Sequence, residues 1–105
     1  MTTIAAHHTR EECLESACIH NFHEVDRSDP EDRAFHETAA IEASEADGRY
    51  PTYRVRVTKF ENEDRWYVEA DVRVAPLSAE DALSLADAIR LQAGVAYELT
   101  EEMSA

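Results

Sequence analysis

Two stretches of the chain alternate apolar and polar residues with a period of two. Over 53–60, "YRVRVTKF" sets Tyr53, Val55 and Val57 against Arg54, Arg56 and Thr58. Over 66–75, "WYVEADVRVA" sets Trp66, Val68, Ala70, Val72 and Val74 against Tyr67, Glu69, Asp71 and Arg73. Successive side chains of a strand point to opposite faces, so each stretch reads as a strand with one buried and one wet face. Only "ENED" (61–64) separates the core of the two, which predicts an antiparallel hairpin. Charge selects its register. Pairing Phe60 with Arg65 sets Arg56 against Glu69 and Arg54 against Asp71, with Val57 facing Val68 and Val55 facing Ala70. A shift of two residues would oppose Arg54 and Arg73. Opposite charges across a ladder contribute roughly 0.2–1 kcal/mol each and like charges cost, so the first register is expected.

The period changes after Pro76. "PLSAEDALSLADAIRLQAG" (76–94) reads as a helix capped by Ser78, with Asp81 three residues on and Glu80 and Asp81 at its positive end. Ala82, Leu85, Ala86, Ile89 and Ala93 share a face expected to cover the hairpin, and Gly94 is the expected stop. Leu91 falls roughly opposite that face, as an exposed leucine or a small dimer contact. The last residues are expected to extend the helix or fray.

The first half lacks such periodicity. "TREECLESACIH" has helical propensity, and "SDPEDRAFH" begins like a helix, with Asp29 as cap and Pro30 in the first turn. For 37–47, alanine and glutamate favour helix, whereas a two-stranded sheet is marginal alone and leaves room for a third strand. The expected fold is therefore α+β: a small antiparallel sheet of two or three strands covered by a C-terminal helix, behind a Cys/His metal-binding segment. The expected organisation is a flexible N-terminus over 1–12 and one domain over 13–99. That domain divides into a head over 13–48 and a hairpin plus helix over 49–94, and a flexible tail over 100–105 follows it.

Composition narrows the function classes. The chain has 105 residues, enough for one domain with a limited core. Ten Lys and Arg against 23 Asp and Glu give a net charge of −13. That argues against direct binding of nucleic acid or anionic membranes, and suits solubility or a partner with a basic surface. No apolar run has signal-peptide or membrane-span length, so a cytoplasmic location is expected, as a monomer or weak homodimer. There a structural disulfide between the two cysteines is disfavoured and metal binding is the better use of the pair.

Cys13, Cys18, His23 and His36 have the spacing C-x4-C-x4-H-x12-H. Zinc takes four tetrahedral ligands from thiolates and imidazoles, and two thiolates balance its charge. Cys13 and Cys18 are five residues apart and would diverge on a helix, so a site using both requires the helix to break near Cys18. His20 rivals His23 as third ligand; His23 is preferred because His20 follows Cys18 by only two positions. The competing reading is two inert thiols and surface histidines.

These pieces together resemble a family of small uncharacterised actinobacterial proteins. The resemblance rests on "CLESAC", His23, "DPEDRAFH" ending at His36, "WYVEADV" and "PLSAEDALSLADAI", and covers about residues 13–93. Cys13, Cys18, His23 and His36 match the family's cysteine and histidine positions, although the family's gap between cysteines is usually shorter and a tryptophan precedes its second cysteine. The resemblance implies a short strand near "TAAIEA", giving a β-β-β-α order after the metal head, and it assigns no activity, since the family has no assigned function.

The function expected from these features is a non-enzymatic acidic protein with a structural zinc, serving protein–protein interaction or regulation. The alternative is an acidic inhibitor or nucleic-acid mimic, suggested by the acids at 24–47 and 61–64. No nucleophile elbow, phosphate loop, HExxH or nucleotide fingerprint points to an enzyme.

Overall fold

The computed structural model describes residues 8–44, 51–73 and 76–104. The hairpin is its centre. Strand β5 (Pro51–Phe60) pairs antiparallel with β6 (Tyr67–Val72) in the register that charge selected: Arg56 opposite Glu69, Arg54 opposite Asp71, Val57 opposite Val68 and Val55 opposite Ala70. Arg56 Nη2 donates to Glu69 Oε1 at 2.9 Å. Arg54 instead pairs with Glu42 at 3.1 Å, and Asp71 with Arg73 at 3.1 Å. Tyr53, Val55 and Val57 are buried as the alternation requires. Val74, expected on the same face as Trp66, lies outside the described residues.

The far side of β5 carries two short strands end to end. β3 (Phe35–Glu37) pairs with the Thr58–Phe60 end, and β4 (Ile41–Ser44) pairs with the Pro51–Val55 end, both antiparallel. Partner numbers sum to 95 at Glu37–Thr58 and to 96 at Ile41–Val55. One extra residue therefore sits between the two strands, as in a β-bulge. The third strand thus exists in two pieces; within 37–47, Glu37 and Ile41–Ser44 are strand, 38–40 form the break between them, and 45–47 lie outside the described residues. The helix expected after Asp29-Pro30 does not form. Asp29 Oδ1 accepts from Glu31 N (2.9 Å), Asp29 O accepts from Asp32 N (3.1 Å), and the chain turns and enters β3. A single Asx-type turn satisfies the same donors that a helix would have used.

The head is a ribbon. β1 (His8–Glu12) pairs antiparallel with β2 (Phe22–Asp26), and Cys13 N donating to Asn21 O at 2.8 Å continues the ladder one step further. The helical propensity of 9–20 is overridden, and His8–Glu12, expected within a flexible leader, is strand. The rest of that leader lies outside the described residues, as does the expected boundary between head and body near residue 48.

Helix α1 (Ala79–Ser104) begins where expected: Ser78 Oγ accepts from Asp81 N at 3.0 Å and Ser78 O from Ala82 N at 2.9 Å. It does not stop at Gly94. Ala96 and Leu99 continue the packed face beyond it, and Thr100 Oγ1 accepts from Trp66 N at 2.9 Å. Tertiary packing over two further turns outweighs the roughly 1 kcal/mol that glycine costs inside a helix.

The packed face is also rotated from the expected one. Leu85, Ala88, Gln92, Ala96 and Leu99 meet the sheet, whereas Ala82, Ala86, Ile89 and Ala93 are exposed. Gln92 explains the rotation. It is buried, and its Nε2 donates to both Ala39 O and Val55 O at 3.1 Å, serving a carbonyl in the break between β3 and β4 and one on β5. Buried carbonyls without donors are costly. The helix turns its amide to the buried carbonyl of Val55, reaches the part-buried one of Ala39 as well, and leaves an apolar flank in solvent.

Candidate metal centre

The ribbon ladder ends at Cys13. The following loop makes a tight turn, with Cys18 N donating to Glu15 O at 3.1 Å. Ile19 N then donates to Glu37 O at 2.9 Å, which docks the loop on the end of β3. Both cysteines thereby lie on one loop without a helix between them, which removes the divergence a helix would impose. His23 sits on β2 two residues before Val25, which is fully buried, so both face inward. His36 sits on β3 opposite Lys59, on the face that carries α1; its ring centroid is 6.2 Å from that of Trp66.

One ligand atom from each of Cys13, Cys18, His23 and His36 lies within 4.8 Å of the other three. Cys13 Sγ is 3.6 Å from His36 Nδ1 and Cys18 Sγ is 3.8 Å from His23 Nε2. The two imidazoles meet edge to face, with centroids 4.9 Å apart. All four side chains are half-buried. The four residues singled out by spacing are thus brought together, in an arrangement able to bind a metal ion. His20 is not among them. Its Nε2 lies 2.9 Å from Glu37 Oε1, and Glu37 also pairs with Arg56. His20 is therefore held on the rear of β3's end, and it is His23 that stands with the two cysteines and His36.

Electrostatics prepares the imidazoles as lone-pair donors. Burial lowers the pKa of His23, and neighbouring His20 adds to this. Burial likewise lowers that of His36, helped by His23 and then Lys59. Burial raises the pKa of Cys13, and its proximity to Cys18 raises it further. An incoming cation must therefore displace a proton from Cys13, which makes metal uptake a proton-releasing step.

Two supporting residues carried little or no sequence signal. Arg27 links the ribbon to the body: Nη2 is 2.5 Å from Glu11 Oε1 on β1, and Nη1 is 2.5 Å from Glu61 Oε1 in the hairpin loop. It holds Glu11 at about 2 and lowers Glu61 as well. Nothing in the sequence near Arg27 pairs it with residue 61. Lys59 is only 6% exposed and its Nζ donates to Phe60 O and Glu61 O. It shares the inward parity of Val55 and Val57, a signal that was available. Lys59, Arg27, Glu61 and three of the four cluster residues (Cys13, His23 and His36) line a polar cleft of about 370 Å³.

The fold and site define an α+β protein with a Cys2His2 cluster joining a β-ribbon to a helix-covered sheet. Among the described residues no helix is long and apolar enough to cross a membrane. No family model matches the chain, and neither a curated protein nor a solved structure matches it.

Proposed function

We propose that the cluster holds a structural zinc ion and that the protein is a non-enzymatic interaction module. The observation that carries this reading is where the ligands come from. Cys13 and Cys18 lie on the ribbon loop, His23 on β2 and His36 on β3 of the main sheet. A cation there cross-links two sheets that the backbone does not pair.

Zinc suits the donor set and the spacing. With zinc–sulfur bonds of about 2.3 Å and zinc–nitrogen bonds of about 2.0–2.1 Å at the tetrahedral angle, sulfur and nitrogen ligands stand about 3.6 Å apart. The two sulfur–nitrogen separations, 3.6 and 3.8 Å, match. Two thiolates and two neutral imidazoles complete a neutral, four-coordinate site, which stabilises folding and performs no chemistry. With the −13 net charge, the partner is a protein with a basic surface. Kinship with the small actinobacterial proteins belongs to the same proposal and is supported by the order of motifs from Cys13 to the helix.

Metal analysis of untagged protein tests the reading. One zinc per chain is expected, and cobalt substitution should give the absorption of a tetrahedral thiolate site. A metal-free protein whose ribbon amides stay protected in chelator would overturn it. A five-coordinate cobalt spectrum would instead turn the cleft beside the cluster into a candidate reaction site.

A further inference from the structure

The two cysteines of the cluster come from one short loop, whereas the two histidines come from two different sheets. Four residues separate Cys13 from Cys18, and their sulfurs lie within 4.8 Å of each other. A disulfide sets its sulfurs about 2.05 Å apart, so a small contraction of the loop joins them. None of residues 13–18 is buried, and Leu14 stands in solvent, so that contraction disturbs no packed core. Access to the two sulfurs is unequal. Cys13 lines the cleft of about 370 Å³ together with Glu15, Lys59 and Glu61, and Cys18 does not line it. A small solute entering the cleft meets Cys13 first.

Where the ligands sit decides what oxidation does. A disulfide between Cys13 and Cys18 takes both sulfur donors from the cluster at once. His23 on β2 and His36 on β3 remain, two of the four ligands that a closed zinc site uses. A cation in the cluster ties the ribbon to the main sheet, but the disulfide ties the loop only to itself. Oxidation thus exchanges a link between sheets for a link within a loop. Had each cysteine come from a different sheet, the disulfide would have kept the two joined. In the zinc-bound state both sulfurs are thiolates, the form that attacks a peroxide.

We propose that Cys13 and Cys18 are an oxidative modification site for hydroperoxides, and that their disulfide releases the zinc ion and uncouples the ribbon from the body. This deepens the structural-zinc reading and rests on it. With hydrogen peroxide, Cys13 Sγ attacks one oxygen, the O–O bond breaks, and Cys13 becomes a sulfenic acid. The departing hydroxide takes a proton from solvent and leaves as water. Cys18 Sγ then attacks Cys13 Sγ and forms the S–S bond; the sulfenic oxygen departs as hydroxide and is protonated to a second water. Two thiolates, one hydrogen peroxide and two protons give one disulfide and two waters. The sulfurs lose two electrons and the peroxide gains them.

The test treats the full zinc-loaded chain with hydrogen peroxide. Released zinc is read with a coloured chelator, the cysteines by intact mass and peptide mapping, and the ribbon by amide exchange. Expected are the loss of one zinc per chain and a mass lower by two hydrogens, with Cys13 joined to Cys18 of the same chain. Exchange in β1 and β2 should become at least about ten-fold faster while α1 stays protected. A dithiol reductant with added zinc should restore the starting state. Zinc retained under peroxide would overturn the proposal. So would zinc released with oxygen added to the cysteines and no disulfide, or a disulfide formed between chains. Ribbon exchange that stays slow once the disulfide has formed would overturn it as well. Zinc content before the oxidant separates the two readings. A chain that holds zinc and forms no Cys13–Cys18 disulfide sinks the modification site alone. A chain without zinc sinks the structural-zinc reading, and the release falls with it.

Discussion

The head and the body of this molecule are held together by different means. In the body, Tyr53, Val55, Val57 and Trp66 are buried against Ala88 and Ala96 in two adjoining clusters. Among the described residues of the head, Val25 and Ala34 are the buried apolar ones, while Leu14, Ile19 and Phe22 stand exposed, Leu14 at 89%. The head shows point contacts instead: the guanidinium of Arg27, and the cluster of Cys13, Cys18, His23 and His36, which is able to bind a metal ion. A segment with too little apolar surface to fold by burial can fold by cross-linking, because each link removes chain entropy without needing area.

The largest expected effect breaks the head and spares the body. Cys18→Ser should lower zinc affinity by at least about 100-fold, since ligand loss exceeds the 10–100-fold cost of disturbing an outer partner. Amide exchange in β1 and β2 should then accelerate while α1 stays protected. Loss of helix signal together with the ribbon would show that the two regions are not separable. Because Cys13 must lose a proton whose pKa burial raises, zinc affinity should also rise as pH increases through the neutral range, measured by chelator competition.

A second change acts on the body alone. Gln92→Leu adds apolar surface at a buried site yet should destabilise by about 2 kcal/mol, because Ala39 O and Val55 O lose their shared donor. Denaturant melts read this directly. A stabilised Gln92→Leu would mean that apolar area, and not the amide, orients the helix.

Smaller still, Gly94→Ala should stabilise by about 0.5–1 kcal/mol. Gly94 lies inside α1, and an added Cβ would meet nothing within 4 Å. A destabilised Gly94→Ala would indicate that the helix ends there in solution.

The smallest effect concerns the Arg27 clamp. Glu11 at about 2 and Glu61, also lowered, lie below their ordinary range in the folded state, chiefly because of Arg27. A depressed carboxylate contributes stability that is present above its unfolded value near 4.5 and is lost as pH falls toward 2. Arg27 is exposed and the two carboxylates are partly so, and solvent screening keeps the contribution small. The stability difference between wild type and Arg27→Ala should be constant above about pH 5 and close on acidification. A gap that persists at pH 2 would argue that Arg27 acts by packing.

Much of the body was legible in the chain. Period-two alternation located the hairpin, cross-strand charge selected its register, and Ser78 marked the start of the helix, because each of these signals acts between near neighbours. The four cluster residues were legible as a set through donor chemistry and spacing. Their geometry was not, since it depends on a loop that closes only when Ile19 N reaches Glu37 O.

The amino-acid sequence by itself determined the two hairpin strands β5 and β6, their pairing, the helix cap and the sulfur and nitrogen donors. Tertiary structure alone decided the ribbon in place of a helix, the two-piece third strand, the run of α1 past Gly94 and the face that α1 buries. Each of those outcomes turns on satisfying backbone groups or cations from segments distant in the chain, such as Gln92 on Ala39 and Arg27 on Glu61. Local propensity of a few tenths of a kcal/mol per residue yields to such contacts.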